Sequence, residues 1–119
     1  MKNKVVLKTE NVIINASLND TVAARDFMRR LPITVSGVRG KVDYHFSTAI
    51  GCFDPEETQS GWKDGDISIA GGWLRVFFDG EKTSDNYKGT MVIAHIDDSD
   101  IEFVRGFPES IRLRIERAG

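Results

Sequence analysis

An all-β domain, a closed barrel of eight strands with one main α-helix over about 20–31 and a short helix near 99–105, is the fold this sequence predicts. Three observations carry the prediction. Apolar and polar residues alternate along many short segments, the two-residue period of a half-buried strand. One segment of any length switches to a helical period. Eleven glycines and three prolines break the chain at short intervals, which suits many short elements joined by turns. Many short strands in a small chain need a sandwich or a barrel, and closure removes the unpaired edges that would recruit other chains.

Each element follows from its local pattern. Lys4 to Thr9 and Val12 to Leu18 alternate on either side of a short Glu10-Asn11 break, which reads as a β-hairpin. Asn19, Asp20 or Thr21 can cap the helix that follows, because a side-chain oxygen there accepts from backbone N–H groups with no partner inside the helix. Ala23, Phe27 and Leu31, with Ala24 and Met28 beside them, form its apolar stripe, and Pro32 ends it. Ile33 to Ser36 reads as a short strand, Gly37 to Gly40 as a turn, and Val42-Tyr44-Phe46 alternating with Asp43-His45-Ser47 as the next strand. Residues 48–64 carry Gly51, Pro55 and Gly61 among polar residues and read as a long irregular loop, a type that is often functional or mobile. Asp66 to Ala70 and Trp73 to Phe78 flank a Gly71-Gly72 turn, and Asp79 to Asn86 is a further turn region. Thr90 to Ile96 is a strand, Ser99 to Arg105 the short helix, and Ile111-Leu113-Ile115 alternating with Arg112-Arg114-Glu116 the last strand.

Composition narrows the function classes. At 119 residues, with 40% hydrophobic and 29% charged residues, the chain suits one globular domain over 1–119 and is far from disordered composition. Sixteen basic against eighteen acidic residues give a net charge of −2 without a basic cluster, which argues against nucleic acid as a partner. Apolar runs of about half a dozen residues are too short to span a bilayer, so no membrane partner is expected. The basic start Met1-Lys2-Asn3-Lys4 leads into an apolar run broken at once by Lys8 and Glu10. No signal peptide is visible in that pattern, and a cytoplasmic location is the expectation. With Cys52 the only cysteine, no intrachain disulfide can form.

The order of elements and several short motifs resemble cyclophilins. The helix Asp20-Thr21-Val22-Ala23-Ala24-Arg25-Asp26-Phe27 precedes a strand carrying Tyr44-His45-Phe46, where cyclophilins place a Phe-His-Arg strand. Gly65-Asp66-Ile67-Ser68-Ile69-Ala70, then Phe77-Phe78, then Thr90 to Ile96 with a short helix after it, follow the second half of that fold. The helix ending in Leu31-Pro32, the Gly-Asp-Ile strand and Trp73-Leu74-Arg75-Val76-Phe77-Phe78 resemble more closely the small microbial cyclophilin-like proteins, whose function is unknown. The resemblance covers nearly the whole chain and implies an eight-stranded barrel with its binding groove on the outer wall. It does not carry prolyl isomerase activity with it. The conjugated amide sets a barrier of about 18–20 kcal/mol, and cyclophilins are thought to lower it with an arginine, a glutamine and an apolar pocket. The arginine and glutamine positions align with Phe46 and Val76, and Phe78 keeps the pocket position. Without those polar groups the electrostatic part of the catalysis is missing.

Along the strand 73–78, Leu74, Val76 and Phe78 share one face and Trp73, Arg75 and Phe77 the other. Both faces cannot enter one interior. An outward Trp-Arg-Phe row suits an extended peptide or a planar ligand, unless the helix or the 48–64 loop covers it. The candidate ligand-binding set is therefore cast wide over two strands: Tyr44, Phe46, Trp73, Arg75, Phe77 and Phe78. His45 and His95 have no nucleophile placed beside them by a motif, and Cys52 reads as a buried or inert thiol. Asp64-Gly65-Asp66 lacks the alternating ligands of a calcium loop and reads as a turn, while Asp97-Asp98-Ser99-Asp100 reads as the cap of the short helix. No metal signature or nucleotide fingerprint occurs, and no cofactor is expected. The readings carried forward are a non-catalytic module for a small molecule or peptide, a divergent prolyl isomerase, and a structural subunit of a larger assembly.

Overall fold

The computed structural model describes residues 3–118. Met1 and Lys2 of the basic start, and Gly119, lie outside the described residues. Eight strands, β1 (Lys4–Lys8), β2 (Ile13–Leu18), β3 (Ile33–Arg39), β4 (Asp43–Ser47), β5 (Asp66–Ala70), β6 (Trp73–Phe77), β7 (Met91–Ile96) and β8 (Ser110–Arg117), close into an antiparallel barrel in the order β1-β2-β7-β5-β6-β4-β3-β8. Two helices, α1 (Val22–Arg29) and α2 (Ile101–Arg105), accompany it. Among the described residues no helix is long and apolar enough to cross a membrane.

The two-residue period does what the sequence led us to expect. Val5 and Leu7, Ile14 and Ala16, Leu74 and Val76, and Leu113 and Ile115 all turn into one shared core. The helices add Ala23, Ala24 and Phe27 from α1 and Ile101 and Val104 from α2 to the same cluster. Burial of such side chains contributes roughly 1.5–3 kcal/mol each for the larger ones. In β7 a register shift against β5 lies between Ile67 and Ser68, so that Ala94 pairs with Ile67 but Val92 with Ser68. The extra residue, Ile93, is itself buried in the core.

Three elements differ at their ends from the sequence expectation, each for a local reason. Helix α1 begins at Val22, since Thr21 keeps extended dihedrals and its side chain accepts from the Ala24 N–H at 3.1 Å. The helix stops at Arg29, and Leu31 packs against the core from beyond its end. The Gly37–Gly40 segment is not a turn. Strand β3 runs through it to Arg39, pairing Gly37 with Phe46 on one side and Ile111 on the other, and the turn follows at Gly40, whose N–H bonds the Asp43 carbonyl at 2.6 Å. Gly37 is needed for close approach: a Cβ there would lie 2.5 Å from the Phe46 ring and 2.4 Å from the His45 carbonyl oxygen. Finally, α2 is preceded by a 3-10 turn at Asp98–Asp100, and neither Asp97 nor Asp100 caps it with a side-chain bond. The acidic run serves other partners: Asp100 accepts from the Asn15 N–H at 2.9 Å, and Asp98 from His95.

Candidate functional site

Strands β4 and β6 lie side by side in a register that opposes His45 to Arg75, Asp43 to Phe77 and Ser47 to Trp73. Since opposed residues share a face, these six side chains form one outer wall. Arg75 is its electrostatic centre. Its Nε–H donates to Asp43 Oδ2 at 2.7 Å, and its guanidinium carbon sits 4.7 Å from the centre of the Phe77 ring. Asp43 is buried beneath, its carboxylate only 8% exposed against 37% for the arginine side chain. A buried carboxylate needs such a partner. His45 approaches the other oxygen of Asp43 at 3.8 Å and meets Trp73 edge to face, ring centres 5.6 Å apart. Trp73 is 48% exposed. A Cβ added to the neighbouring Gly72 would come within 3.9 Å of Ile50, so that exposed residue of the long loop stands beside the same end of β6.

The long loop covers only one end of the outer row. Trp62 lies flat on Phe77, ring centres 4.1 Å apart and 11° from parallel, and its indole N–H donates to the Asp79 carbonyl at 2.9 Å. Ser84 pins the same residue, its hydroxyl accepting from the Trp62 N–H at 2.9 Å. The row Trp73-Arg75-Phe77 is therefore split: Phe77 is sealed, Trp73 and Arg75 are open.

The six candidate ligand residues do not meet on one surface. Tyr44, Phe46 and Phe78 are buried in the barrel core, and Phe77 is buried under Trp62, leaving Trp73 and Arg75 accessible from outside. Tyr44 fills the interior as a structural post. Its hydroxyl lies 2.6 Å from the Phe107 carbonyl oxygen and 2.8 Å from that of Pro108, and it accepts from Arg39 Nη1 at 3.1 Å. Phe78 lies under the Arg39 guanidinium, 4.4 Å from its carbon. Asp43, His45 and Ser47 are the wall residues that sequence reasoning left out of the set. The signal was their alternation with Tyr44 and Phe46, but the pairing with Arg75 depends on strand register.

A second polar cluster surrounds the other histidine. Asp66 opposes His95 across β5 and β7, and His95 Nδ1 lies 2.8 Å from Asp66 Oδ1 while Nε2 lies 2.9 Å from Asp98 Oδ1. Gly65, at φ 99°, leaves room for the ring, since a Cβ there would be 3.1 Å from His95 Cε1 and 2.8 Å from Ile101 Cδ1. Partial burial pulls the His95 pKa down, but the bonds to Asp98 and then Asp66, with their charges, outweigh it and raise the value above 6.5. A raised folded-state pKa means that the charged histidine is favoured by folding. Its contribution is fully present below about pH 6.5 and is lost as pH rises through the raised value. Urea midpoints should therefore fall between about pH 6 and about pH 8.5, and His95→Gln should flatten that fall; an undiminished slope in the variant would remove the assignment. With both ring nitrogens engaged, His95 is a staple between β7, β5 and the acidic turn. Cys52 is exposed and tied to α1 through its N–H, which donates to Asp26 Oδ2 at 3.3 Å.

Comparison with known proteins fits this architecture. Residues 7–116 match the Cyclophilin-like family. The chain belongs to it. The solution structure of the hypothetical protein AF2241 from Archaeoglobus fulgidus resembles this cyclophilin-like domain with a TM-score of 0.67 at 16% identity, covering 98% of this chain and 95% of that one. At that identity the likeness is one of fold. No curated protein matches the chain. Within the cyclophilin-like barrel, Phe46 and Val76, the positions aligned with the cyclophilin arginine and glutamine, both point into the core and are buried. Their strand neighbours His45 and Arg75 lie on the outer wall instead.

Proposed function

We propose that this cyclophilin-like domain is a non-catalytic binding module that takes a small molecule or a peptide on the outer wall of β4 and β6, through Trp73, Arg75 and His45. One observation carries the reading: a half-exposed indole and a half-exposed guanidinium stand together on a rigid sheet, the cation held from below by buried Asp43. The adjoining Phe77, in contrast, is sealed by Trp62. Groups already fixed by sheet and ion pair lose little freedom when a ligand arrives.

A groove of about 1320 Å³ lies elsewhere, between the β1–β2 hairpin, the Gly106–Pro108 segment and the outer faces of β3 and β8. It is the weaker site. It is wide open, and two of its cations, Lys8 and Arg114, already share Glu116. Amide-resolved NMR during titration with a panel of peptides and aromatic small molecules tests the choice. Shifts are expected at Ser47, Trp73 and Arg75, and shifts confined to the hairpin and β8 would overturn it.

The alternative, a divergent peptidyl-prolyl cis-trans isomerase, finds its cation in Arg75, but the apolar position at Phe78 is closed. Phe78, which would grip the proline ring, is buried beneath Arg39 and 5.7 Å from the Tyr44 ring. A protease-coupled proline-peptide assay on the folded protein is expected to run at the uncatalysed rate; acceleration would favour the enzyme.

A further inference from the structure

We infer that the ligand of the β4–β6 wall carries a free carboxylate attached to a flat apolar group, the carboxylate received by the two terminal nitrogens of Arg75 and the apolar group laid on Trp73. The inference rests on the binding-module reading and adds the ligand's chemistry to it.

The argument begins with the donors of Arg75. A guanidinium has five N–H donors in a planar fork and cannot lose its proton in a protein. Only one is used here: Nε–H donates to Asp43 Oδ2 at 2.7 Å, and neither terminal nitrogen has a hydrogen-bond partner among the described residues. The side chain is anchored along its length, by Asp43 at Nε and by the Phe77 ring 4.7 Å from its central carbon. Phe77 is in turn fixed by Trp62 stacked at 4.1 Å. The fork is thus both unfilled and held, with 37% of the side chain open to solvent. Paired parallel N–H groups match the two oxygens of a carboxylate.

Charge decides between acids. Arg75 and Asp43 cancel formally, and His45, the nearest other titratable group on the wall, stands 3.8 Å from Asp43 on the opposed strand. No second permanent cation pairs with this cluster among the described residues. A dianionic phosphate would face the Asp43 charge with one arginine to offset both of its own. A monoanion asks less of the same group. Beside the fork, Trp73 presents an apolar plane whose edge contact with His45 limits its tilt, and exposed Ile50 extends the apolar surface past Gly72. An acid whose apolar part is flat reaches both.

The experiment compares N-acetyl-phenylalanine with N-acetyl-phenylalaninamide, which differ only in a terminal carboxylate against a neutral carboxamide, with NMR shifts at Trp73 and Arg75 as the readout. The acid is expected to bind about tenfold more tightly than the amide, the lower end for hydrogen bonds to a charged group given the exposure of the site. Arg75→Lys, which keeps the charge and loses the fork, should erase most of that preference while leaving the amide spectrum folded. Trp73→Ala should weaken acid and amide alike. A peptide ending in phenylalanine with a free C-terminus forms a third arm: tighter binding than the free acid assigns the carboxylate to a chain end, equal binding to a small acid. Equal affinity for acid and amide, a preference that survives Arg75→Lys, or no shift with either probe would overturn the inference. The module reading fails separately, when the broad panel never touches this wall.

Discussion

Phe46→Ala should destabilise the domain by about 3–5 kcal/mol, measured as a lowered urea midpoint at unchanged slope. A loss of that size is a large part of the roughly 5–15 kcal/mol that holds a typical domain together. The ring is fully buried and stacks with Tyr44, centres 6.3 Å apart. Its neighbours cannot move in to fill the space it leaves. Phe46 opposes Leu74 on one side and Gly37 on the other, so the backbone around it is fixed by two ladders of the closed barrel. Gly37 has no side chain to offer. Cavity cost depends on how far a site can collapse, and a closed sheet collapses little. A cost below about 1.5 kcal/mol, the range of a volume-conserving swap, would show that the interior is not packed around this ring.

What the sequence disclosed follows the same division between periodic and aperiodic parts. Alternation along residues 73–78 set Leu74, Val76 and Phe78 on one face and Trp73, Arg75 and Phe77 on the other without saying which is buried, and the structure puts the first three in the core. The widely drawn site set did not respect it. Tyr44, Phe46 and Phe78 entered the set with the other aromatics of two strands, some of which had to be core, and these three are the ones the barrel buries. The register that sets His45 against Arg75 and Asp66 against His95 depends on turn lengths and on the irregularity near Ile67, and no local pattern reports it. The acidic run 97–100 resembled a helix cap because a cap and a long-range acceptor use the same residues. Asp98 and Asp100 instead reach back to His95 and to the Asn15 N–H. Trp62 was hidden for a different reason. It lies in an aperiodic loop, and only the need to cover an outward Phe77 points to it.

That cover makes Trp62 the second residue with a large expected effect. Trp62→Ala should destabilise by about 3 kcal/mol, the low end for removing a buried tryptophan, because a loop relaxes more readily than a barrel wall. Three contacts are lost together: the flat stack on Phe77 at 4.1 Å, the tilted contact with Tyr87 at 5.3 Å, and the indole bond to the Asp79 carbonyl at 2.9 Å. Trp62→Phe separates them. It retains a ring on Phe77 and gives up the bond, so it should cost about 1 kcal/mol for the bond plus a modest packing loss. Fluorescence supplies an independent check, since Trp62 and Trp73 are the only tryptophans. With Trp62 gone, emission comes from half-exposed Trp73 alone and should shift to the red, whereas Trp73→Phe should shift it to the blue. The two variants also report on the wall. If Trp62 holds Phe77, and Phe77 helps to hold Arg75, then Trp62→Ala should blunt the preference for acid over amide while Trp62→Phe keeps it. Equal loss in both variants would mean that the indole N–H, rather than the stacked ring, sets the position of the guanidinium.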